Sequence, residues 1–312
     1  AGQRVPVAVW YPAAEGGAAS APAAGSPYDY RISVAKIFKA ILGLGLPAFL
    51  ASSFPLASQR PTLLDAAPDA GEGRPLVVFA HGFLGSRFDM IHLAERLASQ
   101  GFVVAAPEFA ESLSASFEPS EGTSRQAIMR AALQMVMSDF ATGKAGLVGH
   151  SAGGFTAASL PGRFELGRVA VAAGVPSYAG PDPLLVVVSE GDVFFQSRWG
   201  DIRAAARGAV DAVFEDSSGA EKMSSLPAAS IGVRLALLFN RDGASPTLPC
   251  HISFLDPRSN DAMVSFLSPL LPLARLLGVP VLDFDVYQET RDSEQTASMV
   301  LPPIVQFFKA RL

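Results

Sequence analysis

Cysteine is almost absent from the 312 residues, Cys250 standing alone, so no disulfide can form within the sequence and redox compartment cannot be read from it. Histidine is also scarce. The four histidines are dispersed, and with one cysteine and no carboxylate cluster at ligand spacing they exclude a zinc-type site; neither a metal nor a cofactor is expected. Positive charge is lacking too: 24 Lys and Arg against 29 Asp and Glu give a net charge of -5, and no basic run offers a surface for nucleic acid. Finally, no long apolar run is unbroken. The uncharged stretch from Ala40 to Gln59 carries Gly43, Gly45, Pro47 and Pro55, and so falls short of the roughly 20 continuous apolar residues a spanning helix needs. A basic, apolar, small-residue leader pattern is missing, and the composition leaves the compartment open.

What is present is apolar. Hydrophobic residues make up 49% of the chain, charged residues 17%, and the mean hydropathy is +0.30. That balance points to an apolar site or an interfacial surface. No internal repeat or linker divides the sequence, and its length suits one α/β domain over 1–312.

Short apolar strands alternate with helical patterns along the chain. Residues 4–11 alternate as a strand, a Gly/Ala/Ser/Pro loop runs to about 27, and residues 33–51 read as helical. The strand at 75–83 is followed by a helix ending near Gly101, a strand at 102–108, a helix over about 123–140, and the strand Ala145–Gly149. Beyond a further helix come strands RVAVAAG and PLLVVVSEG, a helix-rich insertion near 197–214, strand RLALLF and a closing helix over about 298–311. This order predicts a mainly parallel sheet with helices on both faces.

The most specific signal is Gly149-His150-Ser151-Ala152-Gly153, a G-x-S-x-G elbow directly after an apolar strand. Ser151 must stand on a strained strand-to-helix turn, and side chains at 149 or 153 would collide with backbone. A serine hydroxyl attacks only when a base takes its proton. Of the histidines, His92 sits mid-helix, His81 lies in the turn after the second strand, and His150 occupies the elbow's variable position and points away from the chemistry. His251, in LPCHISFLD, is left as the base. The acid should lie between the two in sequence at a strand end, which favours Asp192, with Glu190 and Asp182 as rivals. Backbone N–H groups of Ala152 and Phe83 are the expected oxyanion donors, and Phe83, Leu84 and Phe194 the expected substrate contacts. Cys250 reads as a small apolar residue beneath the base loop rather than a second nucleophile.

With VAVWYP, PLVVFAHGFLGSRFDMIHLAERLASQGFVVAAPEF, GHSAGG, HISFLD and IVQFFKARL on the page, the chain resembles the α/β-hydrolase superfamily and, within it, the chlorophyllases and platelet-activating-factor acetylhydrolases. The resemblance implies the α/β-hydrolase fold and a serine carboxylesterase whose partner is a lipophilic small-molecule ester, a substrate class that the 21 phenylalanines and the high mean hydropathy fit. Chlorophyllase-like cleavage of the chlorophyll phytyl ester is favoured over an acetylhydrolase-like phospholipase; a plastid location would follow from the first. Ala152 replaces an arginine and Ser253 an aspartate of the chlorophyllase pattern, and the turn after RVAVAAG, where both families tend to place the acid, has none. A catalytically dead binding protein and a cofactor-free lyase or dioxygenase are the rival classes on the same fold. The apolar insertion at about 27–60 includes Ile37, Phe38, Ile41, Leu42 and Leu44 at helical spacing, either a lip touching a membrane as a peripheral contact or a buried cover over the sheet.

Overall fold

The computed structural model describes all residues except 1–3, 15–27, 43–44, 46–50, 60–61, 63, 70, 72, 116, 118–121, 141–142, 175–180, 199–211, 216–232, 240–247 and 279–282. Its centre is an eight-stranded sheet. The strands are β1 (Val7–Trp10), β4 (Leu76–Ala80), β5 (Val103–Pro107), β6 (Ala145–His150), β7 (Gly167–Val171), β8 (Leu184–Ser189), β9 (Ala212–Glu215) and β10 (Val233–Phe239). Their order is β1-β5-β4-β6-β7-β8-β10-β9, and only β1 runs antiparallel, against β5.

Burial on both faces explains why the central strands read as unbroken apolar runs. Within β4, Val77 and Phe79 join one core cluster while Leu76, Val78 and Ala80 join the other; β5 divides in the same way. Helices α2 (Ile91–Ala98) and α8 (Ser293–Lys309) cover the first face. On the second face lie α3 (Arg125–Asp139), capped at its start by the Ser124 hydroxyl, and α4 (Ala152–Ser159).

The expected helix over 33–51 is corrected. Helix α1 spans Val34–Leu42 and is flanked by β2 (Tyr28–Ser33) and β3 (Ala51–Leu56), which pair antiparallel as a separate two-stranded sheet. YDYRIS alternates apolar and polar residues as a strand does, a signal the sequence reading passed over, whereas ASSFPL becomes a strand because β2 supplies its partner. Within the proposed lip, Ile37 is buried and Phe38 partly buried, whereas the side chains of Ile41, Leu42 and Leu44 lie outside the described residues. The helix-rich reading of 197–214 is corrected at Ala212–Glu215, a strand beside β10; residues 199–211 are outside the description. Three helices after the base loop escaped the pattern reading: α5 (Pro257–Leu267), α6 (Leu271–Leu276) and α7 (Phe284–Thr290).

Candidate active site

Ser151 follows β6 directly and has φ 54° and ψ -123°, a conformation rarely held by a residue with a side chain. Close packing holds it there. A Cβ on Gly149 would strike the Gly153 carbonyl, and one on Gly153 would strike the Ala80 carbonyl, so elbow and β4 meet backbone to backbone. The Ser151 N–H donates to the Val171 carbonyl at 2.8 Å, fixing the turn against the next strand.

His251 lies in the loop before α5 and is buried. Its Nε2 is 3.0 Å from Ser151 Oγ and its Nδ1 is 2.8 Å from Asp192 Oδ2. Since the ionised carboxylate only accepts, Nδ1 carries the proton and Nε2 presents its lone pair to the serine hydroxyl. Asp192 is fully buried just past β8, and its other oxygen accepts from the Phe194 N–H at 2.9 Å. The rival acids are elsewhere. Glu190 makes no bond to His251, and Asp182 pairs with Arg168, whose guanidinium also donates to the carbonyls of Ala157, Ala158, Leu160 and Gly162 at the end of α4. Asp182 thus helps close a helix end, where a buried carbonyl without a partner would be costly.

The Gly82–Gly85 loop runs beside the nucleophile. A Cβ at Gly82 would lie 3.4 Å from Ser151 Cβ, and the loop's tight turn is closed by Gly85 N–H to the Gly82 carbonyl at 3.2 Å, with Leu84 at φ 60°. His81 anchors it. The Phe109 N–H donates to His81 Nε2 at 2.9 Å, which leaves Nδ1 protonated to donate to the Gly82 carbonyl at 2.7 Å. Burial, reinforced by nearby Arg125, pushes the His81 pKa down to about 3, so the ring stays neutral in this role.

The structure departs from the sequence reading at His150. Far from pointing away, its ring centroid is 5.0 Å from that of His251, and its Nε2–H donates to the His251 carbonyl at 2.9 Å. Burial, with His251 close by, drives its pKa down to about 3. Asp283, which sequence reasoning missed, accepts from the His251 N–H at 3.1 Å and the Val193 N–H at 3.2 Å, tying together the loops that carry His251 and Asp192. Ser253 shows what replaces the expected aspartate of the base motif: its hydroxyl accepts from the Cys250 N–H at 3.0 Å and donates to Asp292. Cys250 is buried, and desolvation pushes its thiol up to about 11. No motif announced Asp283 or Asp292, because each acts from a distant loop.

A cavity of about 590 Å³ opens at this cluster. Phe83 and Phe194 stand half exposed at its mouth, Leu84 lines it, and Ile37, Leu255, Met263, Leu267, Leu271 and Phe284 build apolar walls. The Phe194 ring meets His251 edge-on at 4.6 Å. Among the described residues, no group of three or more His, Cys, Asp or Glu could hold a metal ion, and no helix is long and apolar enough to cross a membrane.

A family model described as chlorophyllase matches residues 49–183, which contain the Gly82–Gly85 loop and the elbow. No curated protein matches the sequence. Among solved structures, a ferulic acid esterase from Streptomyces cinnamoneus superposes with a TM-score of 0.51 at 19% identity, over 99% of this chain and 82% of its own. A protein of unknown function from Agrobacterium tumefaciens gives a TM-score of 0.40 at 16% identity, over 67% of this chain and 88% of its own. A serine hydrolase without a lid from Xanthomonas campestris gives 0.39 at 16% identity, over 59% and 76%. The family match and the fold together support an ester hydrolase. The chain has the α/β-hydrolase fold, and over the segment bearing the elbow it resembles the chlorophyllases.

Proposed function

We propose that the chain is a serine carboxylic-ester hydrolase that acts on a lipophilic ester through an acyl-enzyme on Ser151. The observation that carries this reading is the Asp192–His251–Ser151 relay at the mouth of an apolar cavity. In this mechanism His251 Nε2 removes the Ser151 hydroxyl proton as Oγ attacks the ester carbon, and Asp192 holds the ring and stabilises the imidazolium. Ala152 and Phe83 N–H groups receive the oxyanion. The tetrahedral intermediate collapses, the C–O bond to the alcohol breaks, and His251 returns its proton to the departing oxygen. Water, deprotonated by the same histidine, then attacks the acyl-enzyme and releases the acid, restoring Ser151.

The cavity falls within the roughly 300–1,000 Å³ common for small-molecule sites, and its walls suit a hydrocarbon chain. Within the ester hydrolases, the chlorophyllase match favours the phytyl ester of chlorophyll over the short-acyl ester of a phospholipid. Two measurements test the proposal. A fluorophosphonate probe should label Ser151, and incubation with chlorophyll and with a short-acyl phospholipid should release phytol from the first. Release of the short acid alone would move the substrate to the phospholipid class, and absence of both labelling and turnover would reject the hydrolase.

A further inference from the structure

Besides Ser151 and His251, two described side chains with ionisable groups interrupt the apolar wall of the cavity, Asp89 and His150. Asp89, in the turn before α2, lines the cavity although it is 2% exposed. Its two oxygens do different work. Oδ1 accepts from the Ser86 N–H at 2.9 Å and the Ser86 hydroxyl at 3.1 Å, holding the local turn. Oδ2 receives no hydrogen bond from the described residues and occupies the space where a Gly85 side chain would be, so the absence of a Cβ at Gly85 opens room for this carboxyl beside the cavity. On the same cavity, His150 Nδ1 is a buried acceptor with no partner among the described residues, 3.2 Å from where a Gly82 Cβ would stand. These two acceptors flank one loop, and a cavity filled by plain hydrocarbon would leave both without a donor at a cost in free energy.

We propose that Asp89 is a specificity residue that accepts a hydrogen bond from a hydroxyl on the substrate chain entering the cavity, so that the preferred ester is lipophilic but hydroxylated. The inference rests on the ester-hydrolase reading of the site. A neutral donor suits the position better than a cation, because the Arg125 guanidinium already feels the charge of Asp89. Burial, with Glu108 and Asp256 adding repulsion, raises the Asp89 carboxyl to about 7, so it is the carboxylate present above that pH whose desolvation an incoming hydroxyl relieves, and the assays below are run at pH values above it. An unsubstituted chain would leave the carboxyl oxygen desolvated and unpaired, the situation in which enzymes reject an analogue lacking a hydroxyl most strongly.

The test measures kcat/KM for methyl alkanoates against methyl ω-hydroxyalkanoates, and for alkyl acetates against diol monoacetates, over a range of chain lengths. At one chain length the hydroxylated ester should be preferred by about tenfold or more. Asp89→Leu should abolish that preference and improve turnover of the plain ester, whereas Asp89→Asn, which keeps an acceptor oxygen, should retain it in part. Fluorophosphonate labelling of Ser151 at the wild-type rate in both variants reports an intact site. If the wild type hydrolyses both kinds of ester without preference at every length, or if Asp89→Leu keeps the preference, the assignment is overturned while the hydrolase stands. If no ester is hydrolysed and Ser151 is not labelled, the underlying function fails with it.

Discussion

The reacting groups and the cavity walls are built on opposite structural logic. Ser151 and Asp192 sit just beyond the C-terminal ends of β6 and β8, parallel strands separated only by β7, where backbone contacts in the sheet and at the elbow leave little freedom. The walls come from α1, α5, α6 and the first residue of α7, and they meet the cavity through replaceable side chains such as Ile37, Met263, Leu267 and Phe284. On the proposed function, chemistry would be fixed by backbone, whereas substrate choice would rest on side chains that can change without moving Ser151. If that division is right, substitutions in the first region should cost turnover, and those in the second should alter which ester is turned over.

The largest effect belongs to the nucleophile. Ser151→Ala should lower kcat on any accepted ester by on the order of 10⁶-fold, with residual rate from the oxyanion donors and binding. Burst kinetics and probe labelling check it; a loss of less than about tenfold would show that Ser151 is not the nucleophile. Asp192→Asn should cost about 10⁴-fold, because the amide no longer holds the required tautomer of His251. Glu190→Gln, outside the relay, should change kcat by less than about twofold by the same logic. Equal losses at the two positions would show that the acid was misassigned.

Asp283→Ala probes the join between the two loops. It removes one acceptor shared by the His251 and Val193 N–H groups, so base and acid lose their common anchor. A displacement of about 1 Å at a catalytic group can cost roughly 100-fold in rate, and that loss should fall on kcat with KM little changed. Wall substitutions should behave differently. Met263→Trp fills part of the cavity, and should shorten the preferred acyl or alkyl chain while leaving kcat for an acetate within about twofold, since methylene discrimination changes without touching the relay. A uniform loss across chain lengths would mean that wall and machinery are one unit.

The same division explains what could be read from the sequence. Gly149, Ser151 and Gly153 were legible because the elbow demands those residue types at consecutive positions. Asp192 could be placed because the acid of such a relay belongs at a strand end. His150 was misjudged since periodicity says nothing of how a side chain packs against a loop 100 residues away. Asp283 and Asp89 had no signature for a related reason, as each acts through one or two bonds to distant backbone or through a gap left by a glycine. The strand Ala51–Leu56 was hidden because only pairing with Tyr28–Ser33 makes it a strand, whereas the alternation of YDYRIS itself was there to be read.

The smallest expected effect concerns pH and stability, and it sets buried groups from the two regions against each other. His81 and His150 have folded pKa values near 3, well below the ordinary 6.5, so the unfolded chain binds their protons first. Their contribution is complete above pH 6.5 and is lost as pH falls from there toward 3. Asp89 runs the other way. Its folded pKa of about 7 exceeds the ordinary 3.8, so its burial is least costly below pH 3.8, and stability is lost as pH rises through 7. Between those limits the aspartate offsets one histidine proton. Removing the titration with Asp89→Asn should therefore make the acid-side fall in unfolding free energy steeper by about 1.4 kcal/mol per pH unit. Urea unfolding at several pH values between 4.5 and 6.5 reads this slope directly. An unchanged slope would show that Asp89 is already ionised in the folded protein across this range, and that the cavity wall is better solvated than its burial implies.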